Sequence, residues 1–300
     1  MQFLVAAALV ALVHLVTAVG AWTAVGLLAD DHAMVGAAVL RHLGQLSGAS
    51  MFVPDPAVPA DAAVALYRPF LDLLFWLEQP WFGTSAFGYH VTNSLLHCGT
   101  ALLWFVLVRR WTGSFLAGLA TAQLFVGWPG HSEATHWIAA RTNVLSTFLL
   151  SAALLAHDTA LGRERRLARS AWLGAGALLA VVAIGTKESA VFVVPLVVLR
   201  SWLATTGTPF AARLAGTARS ATPLVAAAAA WLAWRARCLG TWGSGTGYGW
   251  KAGRVGVEAG TDWLRVMVAP AHSAWVPAAV ACALAALSLL LLWLGLRCWR

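Results

Sequence analysis

"FLVAAALVALVHLVTAVGAWTAVGLL", residues 3–28, runs for 26 positions without an Asp, Glu, Lys or Arg, and His14 is its most polar member. As a helix it reaches about 39 Å, more than the roughly 30 Å apolar core of a bilayer. A cleaved leader would open on a lysine or arginine and carry a shorter apolar run, whereas this one opens on Met-Gln. The stretch reads as a retained transmembrane helix and makes the chain an all-α, polytopic membrane protein. Composition agrees: 60% of the residues are hydrophobic and 11% charged, a balance that ordinary soluble domains do not show.

Seven further apolar runs, at 89–108, 115–128, 134–156, 171–185, 190–203, 222–236 and 274–296, predict about eight spans in all. The segment "YRPFLDLLFWLEQPWFG" (67–83) is apolar and aromatic but is interrupted by Asp72, Glu78 and two prolines. It fits an interfacial or re-entrant helix better than a span. With no internal repeat and no linker to a soluble part, residues 1–300 read as one transmembrane domain. Its long outer loops are 29–88 and 237–263.

Orientation follows from arginine. With the N-terminus in the cytoplasm, the inside loops hold Arg109, Arg110, Arg163, Arg165, Arg166, Arg169 and five further arginines against Asp158 and Glu164, a balance of +9. The other side carries −1, and the two give the chain's +8. The positive-inside rule then predicts both termini in the cytoplasm of a cytoplasmic membrane. The basic balance is topology rather than a nucleic-acid footprint, and no nucleic-acid partner is expected.

This orientation gathers the remaining ionisable residues on the outer face: Asp30 and Asp31, then "GWPGHSEATHWIAARTN" (127–143), "GTKESA" (185–190) and the loop after Arg237. Five motifs there occur in order: "DDHAMV", "YRPF", "HVTNSLLHCGTALL", "HSEATHWIAARTNVLSTF" and "KESAVFVVP". Together they resemble the membrane core of the transmembrane O-mannosyltransferases that carry tetratricopeptide repeats, and of their bacterial relatives. The likeness runs over roughly residues 1–270. It implies the GT-C fold and a polyprenyl-phosphate-linked sugar as donor. Transfer of a hexose such as mannose to a hydroxyl, on a protein acceptor for example, would follow by inverting displacement. Asp30 aligns with the first acid of the family's loop pair, which implies the general base, with Asp31 positioning the acceptor or raising its neighbour's pKa. The chain departs from the pattern at "WPGHSEA", where relatives have a His-Pro pair before the histidine, and at "IAAR" in place of I-x-G-R. These departures keep a second reading open: a non-catalytic subunit or scaffold of a larger membrane complex that retains a degenerate transferase core.

The residues allow both readings. A carboxylate at a membrane surface can take the proton from an attacking hydroxyl, yet paired acids also simply end an apolar helix. His90, Asn93 and His97 fall at i, i+3 and i+7 on one helix stripe. His90 and Asn93 are candidates to line a site, and His97 to bond a neighbouring helix. Glu133, Trp137 and Arg141 would form a second stripe at i, i+4 and i+8, to orient sugar or phosphate and stack on a pyranose. Lys187 and Glu188 interrupt apolar sequence. With Arg141, Arg235 and Arg237, Lys187 could hold a donor phosphate, or Lys187 and Glu188 could tie a helix hairpin. His131 belongs to the same outer cluster. His131, Glu133 and His136 offer a divalent metal three donors, but not at His-Glu-x-x-His spacing, so no cofactor is assigned. "GTWGSGTGYGW" (240–250) reads as a flexible outer loop. Cys98, Cys238, Cys282 and Cys298 read as small apolar residues. Membrane lipids are the remaining expected partners.

Overall fold

The computed structural model describes residues 2–24, 26–52 and 67–239. The described residues form α1 (Gln2–Ala24), α2 (Asp30–His42), α3 (Pro69–Phe82), α4 (Ala86–Thr112), α5 (Phe115–Gly127), α6 (Ser132–His136), α7 (Arg141–Leu161), α8 (Arg166–Thr186), α9 (Val193–Ala204) and α10 (Phe210–Leu239), joined in places by short 3-10 turns and with no strand among them. The all-helical class is as the sequence predicts. Three of these helices, α4, α7 and α8, are long and apolar enough to cross a membrane. The chain divides into two compact units.

Among the described residues, the first unit contains α1, α4, α5 and α6. Its core joins Ala6 and Val10 of α1 to Ala101 and Phe105 of α4 and to Ala122 and Val126 of α5. The α4–α5 turn is written in the local sequence. Gly113 takes φ +71, which a side chain would resist, and the Ser114 hydroxyl then caps α5 by accepting from Ala117 N at 3.2 Å. Gly118 lets α5 lie on α4, since a Cβ there would stand 2.8 Å from the Phe105 carbonyl oxygen.

The second unit holds α2, α3 and α7 to α10. α7 and α8 form a close hairpin: a Cβ on Gly176 would meet the Ala153 carbonyl oxygen at 3.3 Å. Ala183, Ile184, Ala190 and Ala228 make a core beneath α10. Gly185 is filled over by Phe70 and Trp231, whose rings would lie 2.6 Å from any added Cβ.

Several elements differ from the sequence expectation. In the expected outer loop 29–88, Asp30–His42 is helical as α2, whereas α3 (Pro69–Phe82) is the helix expected over 67–83. The expected span 134–156 breaks: α6 stops at His136, Trp137 turns to an extended ψ of 117°, and the long helix begins only at Arg141. No glycine or proline marks this break, and Ile138, Ala139 and Ala140 are buried through it. α5 and α9 have 13 and 12 residues, so each reaches only about 20 Å. The run 222–236 sits inside the 30-residue α10. The run 274–296, the segment 240–250, nearly all of loop 237–263, Cys282 and Cys298 lie outside the described residues.

Candidate functional site

The chain leaves its apolar first helix through Ala29, whose φ of +39° and ψ of −111° are strained for a residue with a Cβ. α2 starts at the next position. Asp30 and Asp31 both occupy its first turn, where free backbone N–H groups and the helix dipole favour negative charge. Successive side chains on a helix diverge by about 100°, and the two acids part accordingly. Asp30 is exposed, whereas Asp31 is fully buried. Of the two acids, only Asp30 is open to solvent.

Asp31 is one of several buried charges in the second unit. Arg141, the first residue of α7, is enclosed completely and donates from Nη1 to the Glu78 carboxylate of α3. Its guanidinium also lies over the Phe75 ring, 4.7 Å from the centroid. One and a half turns earlier on α3, Asp72 meets Arg41 of α2 at 3.5 Å. Burial pushes the Asp72 carboxyl above the usual carboxylate range, and Arg41 works against that shift.

Glu188, at the start of the 3-10 turn Glu188–Phe192, takes two arginines. Arg235 of α10 donates from Nη2 to Oε1 at 3.0 Å, and Arg68, which precedes α3, places Nη2 3.6 Å from Oε2. Its neighbour Lys187 does not join this ion pair; the ammonium donates to the Asn143 side-chain oxygen on α7. Arg237 is exposed, and it is not among the arginines on Glu188. The four cations expected to hold a donor phosphate are therefore placed differently. Arg141 is shut inside the unit, Lys187 is turned to an amide, Arg235 is shared with Arg68, and Arg237 faces outward.

In the first unit, His90 and Asn93 are buried on α4, and Asn93 Nδ2 donates to the Thr135 carbonyl of α6 at 3.3 Å. His97, one turn deeper, sits among rings: His131 at 5.3 Å between centroids, His14 at 5.4 Å and Phe125 at 4.8 Å. His131 Nδ1 donates to the Phe125 carbonyl at 2.9 Å, and burial holds its pKa below the usual histidine value. Glu133 is exposed on the short helix α6, and Trp137 is half-buried where that helix ends. Because the backbone turns at Trp137, the series Glu133, Trp137, Arg141 is not one helical stripe. Among the described residues no three His, Cys, Asp or Glu side chains converge as a metal site.

Sequence reasoning did not single out Arg68, Glu78 and Asn143 as site residues. The signal for Glu78 was present, since a carboxylate in an apolar segment needs a cation wherever the segment is buried. Arg68 stood inside the "YRPF" motif. Asn143 carried no signal beyond adjacency to Arg141.

No family model matches the chain, and no solved structure matches it significantly. Among curated proteins, Protein O-mannosyl-transferase Tmtc1 of Drosophila melanogaster is 30% identical over 127 residues, which is 42% of this chain and 14% of that protein. Protein O-mannosyl-transferase Tmtc3 of the same fly is 29% identical over 131 residues, 36% of this chain and 14% of that protein. The match thus spans about one seventh of each relative's length. Part of this chain is distantly similar to O-mannosyltransferases.

Proposed function

We propose that this chain is a membrane glycosyltransferase that moves a hexose from a polyprenyl-phosphate donor to a hydroxyl acceptor at the outer membrane surface. The observation that carries the reading is the similarity to two O-mannosyltransferases. Two features support its finer parts. An exposed carboxylate, Asp30, opens the helix that follows the apolar first segment, and a set of buried arginines lies in the same unit. We read the chain as one GT-C-like transmembrane domain of about eight spans, both termini cytoplasmic.

The chemistry asks little of the protein beyond a base and a cationic seat. The acceptor oxygen attacks the anomeric carbon, and the bond from that carbon to the phosphate oxygen breaks. The phosphate leaves with the bonding pair, and Asp30 takes the acceptor proton. Asp31, enclosed beside it, orients the turn rather than touching the acceptor. Arginine suits the leaving phosphate because its planar fork binds two oxygens at once.

Removing a general base costs on the order of 10²–10⁴ in rate. Asp30→Asn, reconstituted in vesicles with a polyprenyl-phosphate sugar, is therefore expected to lose transfer to that extent while keeping its thermal stability. Asp31→Asn should lose less rate and more stability. Transfer by Asp30→Asn at the parent rate, or no transfer by the parent, would sink the proposal. The scaffold reading draws on one observation, that Arg141, Lys187 and Arg235 already have protein partners, and the inactive parent is its expected outcome.

A further inference from the structure

We propose that Arg68, Glu188 and Arg235 form a phosphate-class anion site that is self-occupied, the Glu188 carboxylate standing where a phosphate group binds. Two guanidiniums, one from the start of α3 and one from the end of α10, converge on a single carboxylate at 3.6 and 3.0 Å. Two cations against one anion leave the cluster a surplus positive charge. By comparison, Asp72 is met by Arg41, Glu78 by Arg141 and Asp158 by Arg200.

The hydrogen bonding is also incomplete. Arg68 Nε and Arg235 Nε are buried with no protein partner, and Arg235 as a whole is more than nine-tenths buried. The indole Nε1 of Trp231, one turn before Arg235 on the same helix face, is buried without a partner as well. The Trp231 ring stacks on Tyr67, next to Arg68 in the chain, so the three N–H groups belong to one cluster. More than 90% of buried N–H groups in proteins are paired. Three orphaned donors together, two of them on cations, ask for an acceptor with more oxygens than a carboxylate has. A phosphate has them, and arginine meets it in bidentate fashion.

Glu188 is suited to give way. It is the most exposed member, with 32% of its side chain open to solvent, and it is held on a 3-10 turn rather than within a long helix. The Arg141–Glu78 pair makes the contrast, since it is closed from solvent at Arg141 and nearly so at Glu78.

The same chemistry admits two sources, a lipid-linked phosphate or a free one. The lipid source rests on the transferase reading; the anion site does not. The test uses the full chain in nanodiscs, with thermal stability read against inorganic phosphate and, separately, against a polyprenyl phosphate in the disc. Glu188→Gln removes the resident charge and should bring half-maximal stabilisation by phosphate to an about tenfold lower concentration than in the parent, the scale of one charge-assisted hydrogen bond. Arg68→Gln added to that variant should abolish the response. If Glu188→Gln does not fold, Glu188→Asp, which withdraws the carboxylate by one methylene, should shift the response in the same direction. A response to the lipid alone assigns the lipid source, and a response to inorganic phosphate alone overturns that source while keeping the site. The proposal is overturned if phosphate in either form stabilises no folded variant, or stabilises Arg68→Gln as well as the parent. Phosphate binding without sugar transfer would refute the transferase reading and leave the site standing.

Discussion

Glu78→Gln tests a fully enclosed charge, the Arg141 guanidinium. The substitution keeps shape and one acceptor oxygen but removes the anion on which Arg141 depends. The guanidinium stays where it was, with no exposed surface. Breaking a buried ion pair from one side costs about 3–5 kcal/mol, because the remaining charge is uncompensated. A loss within that range is expected. Arg141 begins α7, so the positive end of the helix dipole opposes it, by roughly 0.3–1 kcal/mol in ordinary cases. The Phe75 ring stays beneath the guanidinium, and a cation over an aromatic face returns about 0.5–2 kcal/mol.

At roughly 2–4 °C per kcal/mol for a chain of this order of size, the melting temperature should fall by on the order of 10 °C. The assay is thermal unfolding in one detergent at fixed protein and lipid concentration, so that binding does not move the baseline. The double variant Glu78→Leu, Arg141→Met should recover most of the loss, since an apolar pair of similar volume has no desolvation to offset. Two outcomes refute the reasoning: Glu78→Gln within about 1 kcal/mol of the parent, well short of the one-sided cost, or a double variant as unstable as the two single losses added. The same experiment separates Arg141 from donor binding. If its role is the ion pair, Arg141 variants lose stability while the folded fraction keeps its affinity for polyprenyl phosphate.

Ala29→Gly should raise the melting temperature by a few degrees, since glycine accepts φ +39° and the strain relieved is about 1 kcal/mol; a lower melting temperature would remove the strain argument. Burial keeps His131 less basic than in the unfolded chain, so the fold binds fewer protons near the ordinary histidine pKa. Stability must then fall as pH drops from 7 through the unfolded value of about 6.5. His131→Gln should show a shallower loss between pH 7 and 5, and an unchanged slope counts against it. For topology, a cysteine placed at Ala60 should be labelled from outside intact cells and one at Ala168 should not. The reverse pattern would put Asp30 on the cytoplasmic side.

The helical class could be read from residues 3–28 alone, because an apolar run of that length has few other solutions. The opening of α2 ran against the reading of the two acids as the end of an apolar helix: they open a new helix, whose N-terminus favours negative charge. What the sequence hid was which of the two is reachable, since adjacent positions on a helix face different ways. It also hid the break at Trp137. A stripe through Glu133, Trp137 and Arg141 assumes an unbroken helix, and no residue there contradicts that assumption locally. Glu78, which pairs with Arg141, lies 63 positions away on α3. Such pairings are chosen by packing between distant helices, which periodicity cannot report.

α3 makes the physical logic of the molecule visible. Asp72 and Glu78 turn inward onto arginines, while Leu77 and Trp81 are left 52% and 84% exposed. In water this arrangement would be inside out. At a membrane boundary it is the favourable one, with the apolar edge against lipid and the acids spent on buried cations. Those acids fix where charge can be left over. Asp72 answers Arg41 and Glu78 answers Arg141. Glu188 alone must answer both Arg68 and Arg235, and it is the carboxylate of the three that sits outside any long helix. Two guanidiniums on one partly open carboxylate mark a position where an outside anion gains by binding.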